Sequence, residues 1–156
     1  KNVFIDVADY RNFTFNDSST NELFTNIVSN PPYFIENTTS PDEKRSLARN
    51  SNSLPFEDLL KNSSEMLCEG GRLSIIVPTS VAYLVISSAV KYDLFLCRRT
   101  DIADSPSSCF KRSLLEFTYD IMLQTERDFL IIHEEDGRYS SDYKRLMCDF
   151  CFCSEK

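Results

Sequence analysis

The sequence predicts an α/β open sheet, with crossover helices in its first part and antiparallel strands toward its end. Three observations carry this. Between residues 24 and 102, short apolar runs alternate with helix-like patterns. The run Leu73-Ser74-Ile75-Ile76-Val77 is almost continuously apolar, as in a buried parallel strand. The last three strand candidates have no helical pattern between them, so they read as antiparallel hairpins.

The elements follow in order. Val3 to Ala8, ending at Asp9, is the first strand candidate, and a stretch of turn formers from Asn12 to Asn21 follows it. Phe24–Ser29 is a short strand that must end at Asn30-Pro31-Pro32-Tyr33, because two prolines cannot continue a ladder. Thr38 to Ser53 reads as a loop with a short helix. A helix opens at Pro55, a first-turn proline followed by Glu57 and Asp58 at the positive helix end. Leu59, Leu60, Ser63, Met66 and Leu67 lie near one face, and Gly70-Gly71 is expected to end that helix. After the run closed by Pro78, a helix over Ser80–Tyr92 carries Val81, Leu84, Val85 and Ser88 on one stripe. Leu94–Ile102, Ser113–Tyr119 and Phe129–His133 are strands. Ser140–Phe152 closes the chain as an amphipathic helix or a helix–strand mix. The chain of 156 residues fits a single domain, 1–156.

Composition narrows the function classes. The longest apolar runs are a handful of residues, far short of the roughly 20 that span a bilayer. A net charge of -7 argues against general nucleic-acid coating and leaves room for a local basic face. Six cysteines and the Asn-X-Ser/Thr sequons at Asn12, Asn16, Asn37 and Asn62 raise a secreted, disulfide-bonded alternative. Cys148, Cys151 and Cys153 crowd together and do not spread into a framework, so reduced thiols and a cytoplasmic location are the expectation. The same three thiols lack the two separated pairs that zinc prefers, and no metal site is expected.

The segment with the most chemistry is Asn30-Pro31-Pro32-Tyr33. In an open α/β sheet, ligands bind beyond the carboxyl ends of the strands. The Asn30 side-chain oxygen and the Pro31 carbonyl both accept hydrogen bonds, and neither proline nitrogen competes as a donor. Tyr33 adds an aromatic face. Together they suit a planar exocyclic amino group: two acceptors hold its protons and aim its lone pair, and the ring stacks an extruded base.

These residues resemble the Asn-Pro-Pro-Tyr motif of class I S-adenosylmethionine-dependent amino methyltransferases, which act on adenine N6, cytosine N4 or a glutamine amide. The stretches from Asn26 to Phe34, from Glu43 to Arg49 and from Gly70 to Pro78, with Gly137-Arg138-Tyr139 in the tail, are similar to bacterial adenine-N6 methyltransferases of a valine tRNA. The resemblance implies an incomplete Rossmann-like methyltransferase domain, S-adenosylmethionine as cofactor and tRNA as substrate. DNA adenine and protein glutamine are the alternatives within that chemistry. A non-catalytic RNA- or protein-binding remnant or subunit is the alternative outside it. Catalysis falls to Asn30, Pro31, Pro32 and Tyr33. The basic group Lys44, Arg45 and Arg49 is a candidate for RNA phosphate.

Such enzymes open with a glycine-rich loop that cradles the cofactor, whereas no glycine here precedes Gly70. Aligned on the motif, Val3–Asp9 resembles the family's third strand, with Asp9 toward the cofactor adenine. The chain then corresponds to the C-terminal half or two thirds of such an enzyme, inactive on its own. The strand Phe24–Ser29 is expected to present an open edge, covered by self-association, by Val3–Val7 or by a separately supplied half. His133, Arg98-Arg99 and Lys111-Arg112 read as structural or surface residues.

Overall fold

The computed structural model describes residues 23–31, 55–121 and 124–150. Its elements are β1 (Phe24–Ser29), α1 (Pro55–Met66), β2 (Leu67–Pro78), a 3-10 turn (Thr79–Val81), α2 (Ala82–Ala89), a second 3-10 turn (Val90–Tyr92), β3 (Phe95–Ala103), β4 (Arg112–Thr118), β5 (Glu126–Ile131) and α3 (Ser141–Met147). The five strands form one mixed sheet in the order β1-β2-β4-β3-β5. The strand candidate Val3–Asp9 and the loop Thr38–Ser53 lie outside the described residues.

β1 and β2 are parallel and joined by a connection that contains α1, as the alternating pattern predicted. β2 is parallel only on that side. Its other edge pairs antiparallel with β4, and β4 pairs antiparallel with β3. The expectation of antiparallel hairpins holds for β3 and β4 but not for β5, which runs parallel to β3 on its outer edge. The connection from β4 therefore passes over β3 to reach that edge. An apolar pattern marks a strand but carries no record of which neighbour it will choose.

Gly70-Gly71 does not end α1. The helix stops at Met66 and passes directly into β2. Two residue steps on β1, Phe24 to Asn26, face the five steps from Leu67 to Arg72, so β2 bulges between them. Both glycines serve that bulge. Gly70 has φ +71°, and a Cβ on Gly71 would lie 2.8 Å from the Cys68 carbonyl oxygen and 3.1 Å from that of Phe24.

Alternation across the sheet separates two faces. Leu73, Ile75 and Val77 of β2 and Leu115 and Phe117 of β4 point to one side. There they meet Phe56 and Leu60 of α1 and Ala82, Val85 and Ala89 of α2, all buried. Leu84, expected on the inner stripe of α2, is 48% exposed, and the inner face is instead Ala82, Val85, Ser88 and Ala89. The 3-10 turn before Ala82 rotates the helix relative to the uniform spacing assumed from Ser80. α3 is capped by Ser140, whose hydroxyl accepts from the Tyr143 N–H at 3.1 Å and donates to the Ile131 carbonyl at 2.6 Å.

Cys97 of β3 is buried, and its thiol donates to the Glu116 carbonyl at 3.2 Å. Burial foremost, with the Glu116 carboxylate second, pushes the thiol up to about 11. The fold thus favours the neutral thiol. Its contribution is complete below the ordinary thiol value of 9.0 and is lost as pH rises through about 11. Iodoacetamide at pH 8 is therefore expected to modify the exposed Cys109 and Cys148 at least about tenfold faster than Cys97, measured by peptide mass spectrometry. Equal rates would place Cys97 at the surface.

Candidate functional site

β1, β2, β3 and β5 all run in the same direction, so their carboxyl ends share one edge of the sheet. Asn30 follows β1 directly at that edge, with Pro31 buried beside it. The strand ends there because Pro31 has no N–H for the ladder. Of the predicted amino-group receptor, Asn30 and Pro31 are thus at the carboxyl end of a parallel strand, where open sheets bind ligands. Pro32, Tyr33, Asp9, Lys44, Arg45 and Arg49 lie outside the described residues.

The same edge carries a buried polar group that the sequence reading missed. Arg98-Arg99 was read as a surface pair, yet Arg99 is only 7% exposed. Its Nε donates to both Asp101 carboxylate oxygens, at 3.0 and 3.1 Å. The ring of Tyr83 lies 5.0 Å from its guanidinium carbon. Ser113, fully buried, donates to Asp101, and Thr79 Oγ1 lies 3.2 Å from the Ser113 hydroxyl. The network joins the start of β4, the end of β3 and the residue after Pro78, and so stiffens the edge beside Asn30. The available signal was alternation from Arg99 onward: Arg99 and Asp101 share a side with the buried Ala103, whereas the bulge between Leu96 and Arg98 turns Cys97 toward Glu116 on the other face.

Arg98 matches the surface reading and pairs with Asp128 at 2.8 Å. Lys111 pairs with Asp104 at 3.0 Å, which holds that carboxyl below the usual carboxylate range. His133 is structural. Its N–H donates to the Asp104 carbonyl at 2.9 Å, and its ring stacks on Tyr139 at 5.0 Å. Among the described residues no group of three or more His, Cys, Asp or Glu could hold a metal ion, and Cys151 and Cys153 lie outside them. No described helix is long and apolar enough to cross a membrane.

No family model matches the sequence. Comparison with curated proteins decides the resemblance. The tRNA1(Val) (adenine(37)-N6)-methyltransferase of Bacteroides thetaiotaomicron is 35% identical over 129 residues, 83% of this chain and 54% of that protein. The chain is similar to adenine-N6 methyltransferases of tRNA. The protein of the same name from Porphyromonas gingivalis is 37% identical over 129 residues, 81% of this chain and 51% of its own length. That from Bacteroides fragilis is 30% identical over 141 residues, 90% of this chain and 59% of its own. The chain thus spans about half the length of the curated relatives it matches. Among solved structures, one described as a predicted O-methyltransferase from Agrobacterium tumefaciens superposes with a TM-score of 0.57 at 22% identity, over 80% of this chain and 51% of that one. That likeness shows a shared fold over about half of that structure's length.

Proposed function

We propose that this chain is the substrate-amino half of an S-adenosylmethionine-dependent enzyme that methylates adenine N6 in tRNA, and that it acts in the cytoplasm. The observation that carries the reading is the 30–37% identity to tRNA adenine-N6 methyltransferases along most of the chain. The position of Asn30-Pro31 at the carboxyl end of β1 supports it. In this reading the Asn30 side-chain oxygen and the Pro31 carbonyl accept the two protons of the adenine amino group. Pro32 keeps the turn rigid, and Tyr33 stacks on the ring. Holding the amino group in one orientation is the chief catalytic contribution asked of these residues.

The described residues do not by themselves fit the cofactor. The space before the Gly71 Cα is taken by the chain's own carbonyls, and Gly70 and Gly137, both with positive φ, sit in a bulge and a turn. None of the three precedes β1, where the resemblance places the loop that cradles the methionine part. Asp9, proposed toward the cofactor adenine, is one contact among several that the reaction requires. The chain by itself is accordingly expected to bind S-adenosylmethionine weakly and to methylate nothing.

The test is a chimera. This chain replaces the matching segment of the Bacteroides thetaiotaomicron relative, and the tRNA of a host lacking that enzyme is assayed for N6-methyladenosine by mass spectrometry. Restored modification is the expected result. A chimera that binds S-adenosylmethionine and leaves tRNA unmodified, while methylating DNA or a protein glutamine, would overturn the substrate.

Lys44, Arg45 and Arg49 are proposed to contact RNA phosphates. Replacing all three with Gln in the chimera is expected to weaken tRNA binding and to reduce the slope of log affinity against log salt by about 2 to 3. An unchanged slope removes them from the interface.

A further inference from the structure

On the face where α1 and α2 pack, Tyr83 stands near the start of α2, toward β3 and β5. There, register sets Arg99 beside Arg127 and Asp101 beside Phe129, on the adjacent parallel strands β3 and β5. The Tyr83 ring lies 5.0 Å from the Arg99 guanidinium carbon and is itself 68% exposed. Phe129 is equally exposed, and its ring meets that of Phe110 at 6.5 Å between centroids. Two arginines directly opposite on neighbouring strands repel each other. Asp101 answers one of them, since both of its carboxylate oxygens accept from the Arg99 Nε. The acids of β5 itself, Glu126 and Asp128, pair with Arg98 on the other face and leave the exposed Arg127 with no carboxylate among the described residues. Nor do the described residues give an acceptor to either Nη of Arg99, a residue only 7% exposed. Ser63 Oγ is the only buried side-chain polar atom without a partner among the described residues, so the two Nη groups open to the surface.

The donors are held in place before any ligand arrives. Asp101 fixes the Nε edge of Arg99, Ser113 holds Asp101, and Tyr83 fixes the guanidinium plane. The Nη edge is left, and its fork of N–H groups suits the oxygens of a phosphate. Two residues along β5 from Arg127, Phe129 and Phe110 present exposed rings. A nucleic-acid strand carries a planar base beside each phosphate and so uses both features, whereas an acidic peptide or free phosphate would leave the rings idle. An unpaired base has a face free to stack, and a base inside a duplex does not. We infer that Arg99, Arg127, Phe129 and Phe110 form a binding site for an unpaired RNA nucleotide, with its phosphate on the arginines and its base on the rings. The choice of RNA rests on the proposed methylation of tRNA. Asn30 follows β1, and β5 lies four strand spacings away, roughly 19 Å at about 4.8 Å each, so the site is separate from the amino-group pocket. It would hold the RNA at the far side of the sheet.

Fluorescence anisotropy with the 156-residue chain, across a salt series, tests this without any readout of methyl transfer. The probes are an unstructured RNA oligonucleotide, the DNA of the same sequence and an RNA duplex, with inorganic phosphate as competitor. Unpaired RNA is expected to bind at least about tenfold tighter than the duplex. Phe129→Ser is expected to weaken that binding about tenfold, and Arg127→Gln to lower the slope of log affinity against log salt by about 1. Both side chains are exposed, so the thermal midpoint is expected to change little in either variant. Arg99→Lys keeps the charge and loses the Nη fork, and is expected to weaken binding with the slope retained. Unchanged affinity and slope in both β5 variants, equal binding of duplex and unpaired RNA, tighter binding of DNA than of RNA, or displacement of the RNA by an equal concentration of inorganic phosphate would each overturn the inference. Its failure is separable from that of the proposed function. A chimera that methylates tRNA with the same KM with and without Phe129→Ser keeps the proposed function and removes this site. RNA binding lost on Phe129→Ser, beside a chimera that leaves tRNA unmodified, keeps this site and removes the proposed function.

Discussion

Asn30→Ala in the chimera is expected to lower methyl transfer by about 10²-fold or more while S-adenosylmethionine affinity stays within a factor of two. Asn30 is the first residue beyond β1, beside the buried Pro31. Its proposed task is to accept one proton of the amino group and fix the direction of the nitrogen lone pair. Removing one such preorganised hydrogen-bonding group from an active site typically costs about 10²–10³ in rate. Asn30→Asp keeps an acceptor oxygen in the same place and is expected to retain more activity than Asn30→Ala. Single-turnover kinetics and calorimetry with the cofactor separate the two effects. Loss of cofactor affinity with turnover intact would assign Asn30 to the cofactor and sink the amino-group role.

The second large effect is on stability. Phe117 of β4 is fully buried and packs in the cluster that joins the sheet to α1 and α2. β4 is the central strand, between β2 and β3. Phe117→Ala removes a large ring from a closed core and is expected to cost about 3–5 kcal/mol in urea unfolding. That is a large share of the roughly 5–15 kcal/mol that holds a domain together. Leu114, three residues earlier on the same strand, faces the side opposite α1 and α2, and Leu114→Ala in the isolated chain is expected to cost less than about 1 kcal/mol. Equal costs at the two positions would mean that Leu114 is as closely packed as Phe117.

How much of this was legible in the sequence depended on how local the cause was. β1 ends at Asn30 because proline lacks an N–H, and that is visible in two letters. α1 begins at Pro55 and β3 and β4 lie within two residues of their apolar runs, because period and propensity act over a few residues. The role of Gly70-Gly71 was misread. The same dipeptide serves a helix end or a strand bulge, and the choice rests on the carbonyl of Phe24, more than forty positions away. The burial of Arg99 was likewise hidden, since Asp101, Ser113 and Tyr83 meet it only when β3, β4 and α2 are assembled.

By itself the sequence determined the strand that stops at Asn30-Pro31, the acceptor groups placed there, and the resemblance to adenine-N6 methyltransferases that the curated relatives share. Only the tertiary structure decided that β5 joins β3 in parallel, that Arg99 turns inward, and that α1 and α2 pack on one face of the sheet with Val28 and Leu114 on the other. The physical reason is the range of the interaction. Ladder termination and side-chain chemistry belong to neighbouring residues, whereas strand order and the covered face are set by partners far apart in the chain, through the twist and handedness of the whole sheet.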